Sequence, residues 1–264
     1  MIDDKDYFLI DTHAHLDMIE KKMPDEVIND AINSGVKYII NTGSSMEGSL
    51  ESVGFAKKYE NIFATVGVHP HHADVFRSED IQVLDELIKE NRKIVAVGET
   101  GFDYFRNPVS QNEQERTFIA QIELAIKNKL PIVIHDREAH EDTLRVIKKY
   151  SGKKDFKAVL HCFSGDADFA FSCMEEGVFI SFTGVLTFPN AKTTKEVAKM
   201  IPLGRVFVET DSPFLAPQPK RGKENYPSNV VYVAEEFAKI REMELKDIVK
   251  ITTENAIQFF GLNI

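Results

Sequence analysis

The segments KIVAVGETG (residues 93–101), NEQERTFIAQIELAIKNK (112–129) and LPIVIHDRE (130–138) follow one another along the chain and decide its fold. The first and third are short apolar runs rich in β-branched residues, which is typical of buried strands. The middle segment carries apolar residues at three- and four-residue spacing, which indicates a helix. A strand, a helix and a second strand in this order predict a right-handed unit whose two strands pair in parallel.

The same order of strand and helix continues through the chain of 264 residues. Apolar runs predict eight strands, at 7–15, 37–44, 62–70, 93–101, 130–138, 157–165, 178–186 and 205–213. Helical patterns lie at 25–35, 46–59, 78–91, 112–129, 141–150, 168–177, 193–200, 230–240 and 245–261. This alternation predicts one α/β domain over 1–264, a (β/α)8 TIM barrel. An open doubly wound sheet is the alternative, but no GxGxxG motif follows the first predicted strand.

The composition indicates a soluble globular protein. The chain has 32 basic and 42 acidic residues, a formal net charge of −10, which argues against a broad basic surface that wraps duplex DNA. Its two cysteines, Cys162 and Cys173, form no CxxC pair, so we expect no disulfide and a cytoplasmic location. The sequence shows no secretory leader and no apolar run of about 20 residues, so no membrane association is expected. No heptad pattern points to an obligate protein partner.

Polar residues concentrate where the predicted strands end, whereas the strand interiors are apolar. All eight histidines lie at or just after such an end. In a barrel of this type, the active site is built at the carboxyl ends of the strands. Six side chains that point inward there would meet at one mouth: His13, His15, Glu99, His135, His161 and Asp211. Four imidazoles and two carboxylates are enough ligands for two divalent cations that share a bridging carboxylate.

Side-chain alternation along the strands assigns positions to three neighbours of these residues. Asp11 has the parity of the two histidines in the first strand, so we expect it to orient one of them. Glu209 lies deeper than the carboxylate two residues later, and we expect an orienting role for it as well. Cys162 has the opposite parity to the histidine before it and is expected to face the helical layer.

Six segments resemble the motifs of the TatD family of metal-dependent deoxyribonucleases, within the amidohydrolase-like barrels. They are LIDTHAHLD (9–17), GVHPH (67–71), AVGETGFDYF (96–105), LPIVIHDREA (130–139), HCFSG (161–165) and ETDSPFLAP (209–217). Together they extend over most of the chain in the family's order. The resemblance implies a two-metal site on the six residues named above. It also implies hydrolysis of phosphodiester bonds in DNA, often as a 3′→5′ exonuclease.

On this interpretation the cofactor is a pair of divalent cations, Mg, Zn or Mn, that activate a water molecule. Glu99 and Asp211 are the predicted catalytic residues, the first as the bridge between the cations and the second as the general base. Four residues of the rim and one in the loop after strand eight are predicted to bind substrate: His69, His71, His72, Arg137 and Arg221. The predicted partner is DNA, as single strands or 3′ ends.

Two departures from related sequences bear on the substrate. The loop after strand eight reads KRGKENYP (220–227) where members of the family often carry a basic RGKRNEP-like segment, so Glu224 and Tyr226 alter the expected strand contact. Glu99 also stands where many related barrels carry a carboxylated lysine, which disfavours urease-like and phosphotriesterase-like activities. An amidohydrolase or deacylase acting on a small molecule, or on an aminoacyl-tRNA ester or amide, is the alternative that the same residues leave open.

Overall fold

Eight parallel strands pair in the order of the sequence in a computed structural model, which describes residues 7–105 and 107–264. The strands are β1 (Leu9–Ala14), β2 (Val36–Thr42), β3 (Ile62–Val66), β4 (Ile94–Asp103), β5 (Ile132–Arg137), β6 (Ala158–Leu160), β7 (Phe179–Phe182) and β8 (Val206–Val208). Ala14 pairs with Ser212, just after β8, and this bridge joins the last strand to the first. The sheet is therefore a nearly closed barrel.

Helices connect successive strands and cover the outside of the barrel. They are α1 (Pro24–Asn33), α2 (Met46–Lys58), α3 (Ser78–Glu90), α4 (Gln111–Asn128), α5 (His140–Tyr150), α6 (Ala167–Glu175), α7 (Lys192–Met200), α8 (Val230–Arg241) and α9 (Leu245–Phe260). Ser45 and Ser110 fix the starts of α2 and α4, because each hydroxyl accepts a hydrogen bond from a backbone amide of the first turn. Among the helices that the structure describes, none has the length and apolar character needed to cross a membrane.

A second apolar cluster, separate from the one between strands and helices, fills the inside of the barrel. Most strands contribute their second residue to it: Ile10, Phe63, Val133, Val159 and Phe207. The end of α9 packs onto this layer, with the rings of Phe259 and Phe260 centred 5.2 and 5.5 Å from the ring of Phe207. Because these strand residues lie at the amino ends, α9 closes the barrel at the end opposite to the predicted site.

The prediction of a single-domain (β/α)8 barrel is confirmed, although residues 1–6 and 106 of the predicted range lie outside the described residues. Several strands are shorter than predicted. The predicted strands extend to 165 and 213, whereas β6 ends at Leu160 and β8 at Val208. His161 and Asp211 therefore stand in the loops just beyond these strands, where the backbone is free to leave the extended conformation.

Candidate metal centre

A cavity of about 590 Å³ opens at the carboxyl ends of the strands. Its volume is in the range of pockets that bind small ligands. The histidines and carboxylates at the strand ends form its floor, and the loops that follow the strands form its wall. Five of the six predicted metal ligands line it directly: His15, Glu99, His135, His161 and Asp211. The sixth, His13, is fully buried beside them.

The Glu99 carboxylate divides the predicted ligands into two sets. Its Oε2 lies 3.5 Å from Nε2 of His13 and 3.5 Å from Nε2 of His15. Its Oε1 lies 2.8 Å from Nδ1 of His135 and 2.9 Å from Nε2 of His161. The two oxygens of one side chain thus face separate pairs of the predicted ligands, which is the arrangement expected of a carboxylate that bridges two cations. Oε1 also lies 3.4 Å from Nε2 of His69, which was not predicted as a metal ligand.

Asp211 completes the first of these sets. Its Oδ1 lies 3.7 Å from Nε2 of His13 and 3.5 Å from Nε2 of His15. The amide of Asp211 donates to the carbonyl of His13 at 2.8 Å, so a backbone hydrogen bond between the loop after β8 and β1 sets this position. Two imidazole nitrogens with carboxylate oxygens form a mixed donor set that suits Zn²⁺ or Mn²⁺ by ligand softness.

The charge of the buried carboxylates also fits a divalent cation. Glu99 is 4% exposed and Asp103, at the end of β4, is 3% exposed. Over residues 7–105 and 107–264, the ion pairs of Glu99, Asp103 and Asp211 are all with histidines, and none is with a lysine or arginine. Because a buried carboxylate is costly unless it is paired or coordinates a metal, this cluster is suited to holding added positive charge.

The pKa shifts favour ionised carboxylates, and they differ among the four predicted histidine ligands. Burial by itself would raise the pKa of Glu99, but the charge of His161 and the other imidazoles lowers it well below its ordinary value. Burial also opposes ionisation of Asp211, yet the hydrogen bond with His15 lowers its pKa. Burial lowers the pKa of His13. Both carboxylates are therefore ionised and His13 is neutral near neutral pH. Against the effect of burial, the facing carboxylates raise the pKa of His15 to about 8 and also raise those of His135 and His161, so a cation would have to displace protons from these three rings.

Asp103 is a residue of this cluster that the sequence analysis missed. Its Oδ2 lies 3.1 Å from Nε2 of His135 and 3.0 Å from Nε2 of His71. Because Nδ1 of His135 faces Glu99, Asp103 holds the opposite ring nitrogen, as carboxylates commonly do behind metal-binding histidines. The signal was present in the sequence, since Asp103 follows Glu99 by four residues in one strand and lies within the motif AVGETGFDYF.

Asp103→Asn is expected to weaken metal binding by about 10- to 100-fold, the usual effect of removing a carboxylate behind a ligating histidine. The amide keeps the shape of the side chain but no longer fixes the tautomer of His135. Titration of the metal-free protein with Zn²⁺ or Mn²⁺ measures the change. Asp85→Asn is the matched control, because Asp85 is a buried carboxylate of α3 that binds Lys89 and Lys127 instead of the cluster. Equal metal affinity in the Asp103 and Asp85 variants would contradict this role.

In two other histidines, the ring nitrogen Nδ1 faces an oxygen atom on the side away from the Glu99 carboxylate. Nδ1 of His15 lies 3.0 Å from the carbonyl oxygen of Thr42. Nδ1 of His161 lies 3.5 Å from Oε1 of Glu209, and the same oxygen accepts a hydrogen bond from the amide of Cys162 at 2.7 Å. The contact with Thr42 orients the ring of His15, and the proximity of Glu209 to His161, without a hydrogen bond, fits the orienting role predicted for Glu209.

Two positions that alternation predicted are wrong. Asp11 contacts the backbone of His13 and not its ring, and its Oδ1 also accepts a hydrogen bond from the amide of Thr210 at 2.9 Å. The pairing of β1 with β2 shifts register between Asp11 and Ala14, which interrupts the alternation. Cys162 lines the cavity and does not face the helical layer. Its φ of 45° turns the chain out of the extended conformation directly after His161.

The structure places four of the five predicted substrate-binding residues in the cavity wall: His69, His71, His72 and Arg137. His69 lies nearest the predicted metal ligands, with its Nε2 at 3.4 Å from Oε1 of Glu99. The guanidinium of Arg137 lies 4.3 Å from the centre of the Phe105 ring. Imidazole and guanidinium donors therefore stand beside the carboxylate cluster, and their binding of substrate stays a prediction.

The fifth residue, Arg221, does not belong to the cavity wall. Its guanidinium lies 4.1 Å from the centre of the Phe188 ring, so its position does not support a contact with substrate in the cavity. The carboxylate of Glu224 accepts hydrogen bonds from the amide of Glu20 at 3.1 Å and from the hydroxyl of Tyr226 at 2.6 Å. The two residues that depart from the family pattern thus fasten this loop to the segment after β1.

Known proteins are similar to this chain over nearly its full length. Residues 10–261 match the family model described as TatD related DNase. The uncharacterized metal-dependent hydrolase YabD of Bacillus subtilis is 41% identical over 256 residues, which cover 97% of this chain and 100% of YabD. The 3′-5′ ssDNA/RNA exonuclease TatD of Shigella flexneri is 30% identical over 90% of this chain and 93% of its own length. The crystal structure of YjjV, a TatD homologue from Escherichia coli K12, has a TM-score of 0.90 at 26% identity and covers 96% of this chain and 98% of its own.

Proposed function

The chain belongs to the TatD family of metal-dependent hydrolases, and from this premise we propose that it is a nuclease that hydrolyses phosphodiester bonds of single-stranded DNA from the 3′ end. The observation that carries the proposal is the division of the Glu99 carboxylate between two pairs of imidazoles. The Shigella relative named as a 3′-5′ ssDNA/RNA exonuclease supports the choice of substrate. A net charge of −10 favours the entry of a strand end into a local cavity over the wrapping of a duplex.

The two sets of ligands would hold two divalent cations with Glu99 shared between them. Divalent cations in such a site supply Lewis acidity to the phosphate oxygens and favour deprotonation of the attacking water. One set consists of His13, His15 and Asp211, and the other of His135 and His161. Side chains among and around these ligands would accept the proton of the attacking water and hold the strand.

Asp211 would accept the proton of the attacking water. Its side chain is 13% exposed and reaches the cavity, whereas the side chain of Glu99 is 5% exposed and enclosed by imidazoles. Because the pKa of Asp211 lies below its ordinary value, the carboxylate is ionised near neutral pH, as a proton acceptor must be. Arg137, on the opposite side of the cavity, can donate hydrogen bonds to phosphate oxygens and so hold the strand in place.

Digestion of a 5′-labelled single-stranded oligonucleotide tests this proposal. With Mg²⁺, Mn²⁺ or Zn²⁺ added to the metal-free protein, we expect a ladder of labelled products that shortens stepwise from the 3′ end. EDTA should abolish the ladder, and a duplex of the same sequence should be cleaved more slowly. Immediate release of a labelled mononucleotide would show the opposite polarity. No cleavage of DNA with any cation, together with turnover of a panel of esters and amides, would replace the proposal with the deacylase alternative.

A further inference from the structure

The wall of the cavity has a polar side and an apolar side. The loop after β3 contributes His71 and His72, and the end of β5 contributes Arg137. The loops after β7 and β8 contribute Val185, Phe214 and Leu215. Because the strands follow one another around the barrel in sequence order, these two groups of residues face each other across the mouth. Glu99 and the predicted metal ligands around it, together called the Glu99 cluster, lie on the floor between them.

Phe214 is the aromatic residue of the apolar side. It is 51% exposed, although it follows Asp211 by only three residues. Its amide donates to the carbonyl of Asp211 at 2.9 Å, and its carbonyl accepts from the side-chain amide of Asn225 at 2.7 Å. The ring stands nearly edge-on to that of His15, with centroids 6.2 Å apart and an interplanar angle of 68°. A rigid backbone therefore presents an open ring face next to the predicted metal ligands.

We propose that Phe214 stacks on the base of the 3′-terminal nucleotide while the scissile phosphate lies at the Glu99 cluster. This inference rests on the proposed function. A strand end carries a planar apolar base and a row of anionic phosphates, which match the two sides of the cavity. The phosphates that precede the scissile bond then lie along His71 and Arg137. Every base has a π face, so stacking recognises the presence of a base with little regard to its identity.

Two 5′-labelled strands of one sequence test this arrangement, the first ending in an ordinary 3′ nucleotide and the second in an abasic tetrahydrofuran nucleotide. We expect the wild-type protein to remove the ordinary residue with a kcat/KM higher by about 5- to 100-fold, the range that stacking on one aromatic ring supplies. Phe214→Ala should bring this ratio close to one, mainly by raising KM for the ordinary strand. Phe214→Tyr keeps an aromatic ring and should retain the wild-type ratio.

Phe171→Ala is the matched control, because Phe171 is a phenylalanine of α6 that is 40% exposed and lies outside the cavity wall. It should keep the wild-type ratio. A Phe214→Ala protein with the wild-type ratio would overturn the inference and leave the proposed nuclease function intact. Equal removal of both ends by the wild-type protein would also overturn it. If the wild-type protein cleaves neither strand with any cation, the proposed function fails, and this inference fails with it.

Discussion

Glu99→Ala is expected to lower metal-dependent hydrolysis of single-stranded DNA by about 1,000-fold or more, since a bridged pair of cations supplies several kcal/mol to the reaction. The two oxygens of Glu99 face different pairs of imidazoles, so no other side chain can take over both contacts. We also expect the purified variant to hold fewer than two equivalents of divalent cation. Rates on a 5′-labelled oligonucleotide and elemental analysis of the dialysed protein measure the two effects.

Glu123→Ala is the control for this change. Glu123 is a carboxylate of α4 that accepts a hydrogen bond from the hydroxyl of Tyr150 at 3.0 Å, away from the cavity. Its removal should leave both the rate and the metal content unchanged. Thermal unfolding of both variants by circular dichroism separates a local loss of ligands from a loss of the fold. Full metal-dependent turnover by Glu99→Ala would contradict the bridging role.

Asp211→Asn is expected to lower kcat by about 100- to 10,000-fold, the usual contribution of a general base, with a smaller loss of bound metal. Asp211 has a φ of 56°, a left-handed conformation that asparagine adopts more readily than most residues. The substitution therefore removes the proton acceptor without straining the chain. Single-turnover rates at saturating metal, compared with the metal affinity from titration, distinguish lost chemistry from lost binding.

Asp17→Asn is the matched control for Asp211→Asn. Asp17 lies in the loop after β1, where its carboxylate is 3.5 Å from the side-chain amide of Asn41, and it is not part of the cavity wall. We expect wild-type kcat from this variant. If Asp211→Asn also keeps its kcat within about twofold while binding metal normally, the proton acceptor is another group.

The alternation of strand and helix patterns was sufficient to predict the barrel. Strand ends were less predictable, because apolar residues beyond them can belong to other surroundings. After β6, the segment that contains Phe163 reads as a continued strand. In the structure, Phe163 is buried in the core, whereas Phe214, beyond β8, stands in the cavity wall. A hydropathy pattern records that a side chain is apolar and does not record which of these surroundings accounts for it.

The rule that strand carboxyl ends meet at one mouth was sufficient to bring together the six predicted metal ligands. Inference from parity failed where the backbone leaves the extended conformation. The register shift in β1 redirects Asp11, and the left-handed residue Cys162 ends the alternation after β6. Neither the register shift nor the left-handed residue can be read from the pattern of polar and apolar residues in the sequence. The position of Arg221 was also not predictable, since its stacking on Phe188 depends on how two distant loops pack.

The packing of α9 onto the inner strand residues has a consequence for how substrate and product would move. Phe259 and Phe260 cover the inner layer at the amino ends of the strands, so within the described residues the barrel is closed at that end. Under the proposed nuclease function, a DNA strand would not thread through the barrel. The freed nucleotide and the shortened strand would share the opening at the carboxyl ends of the strands, and the nucleotide would leave before the next 3′ end entered.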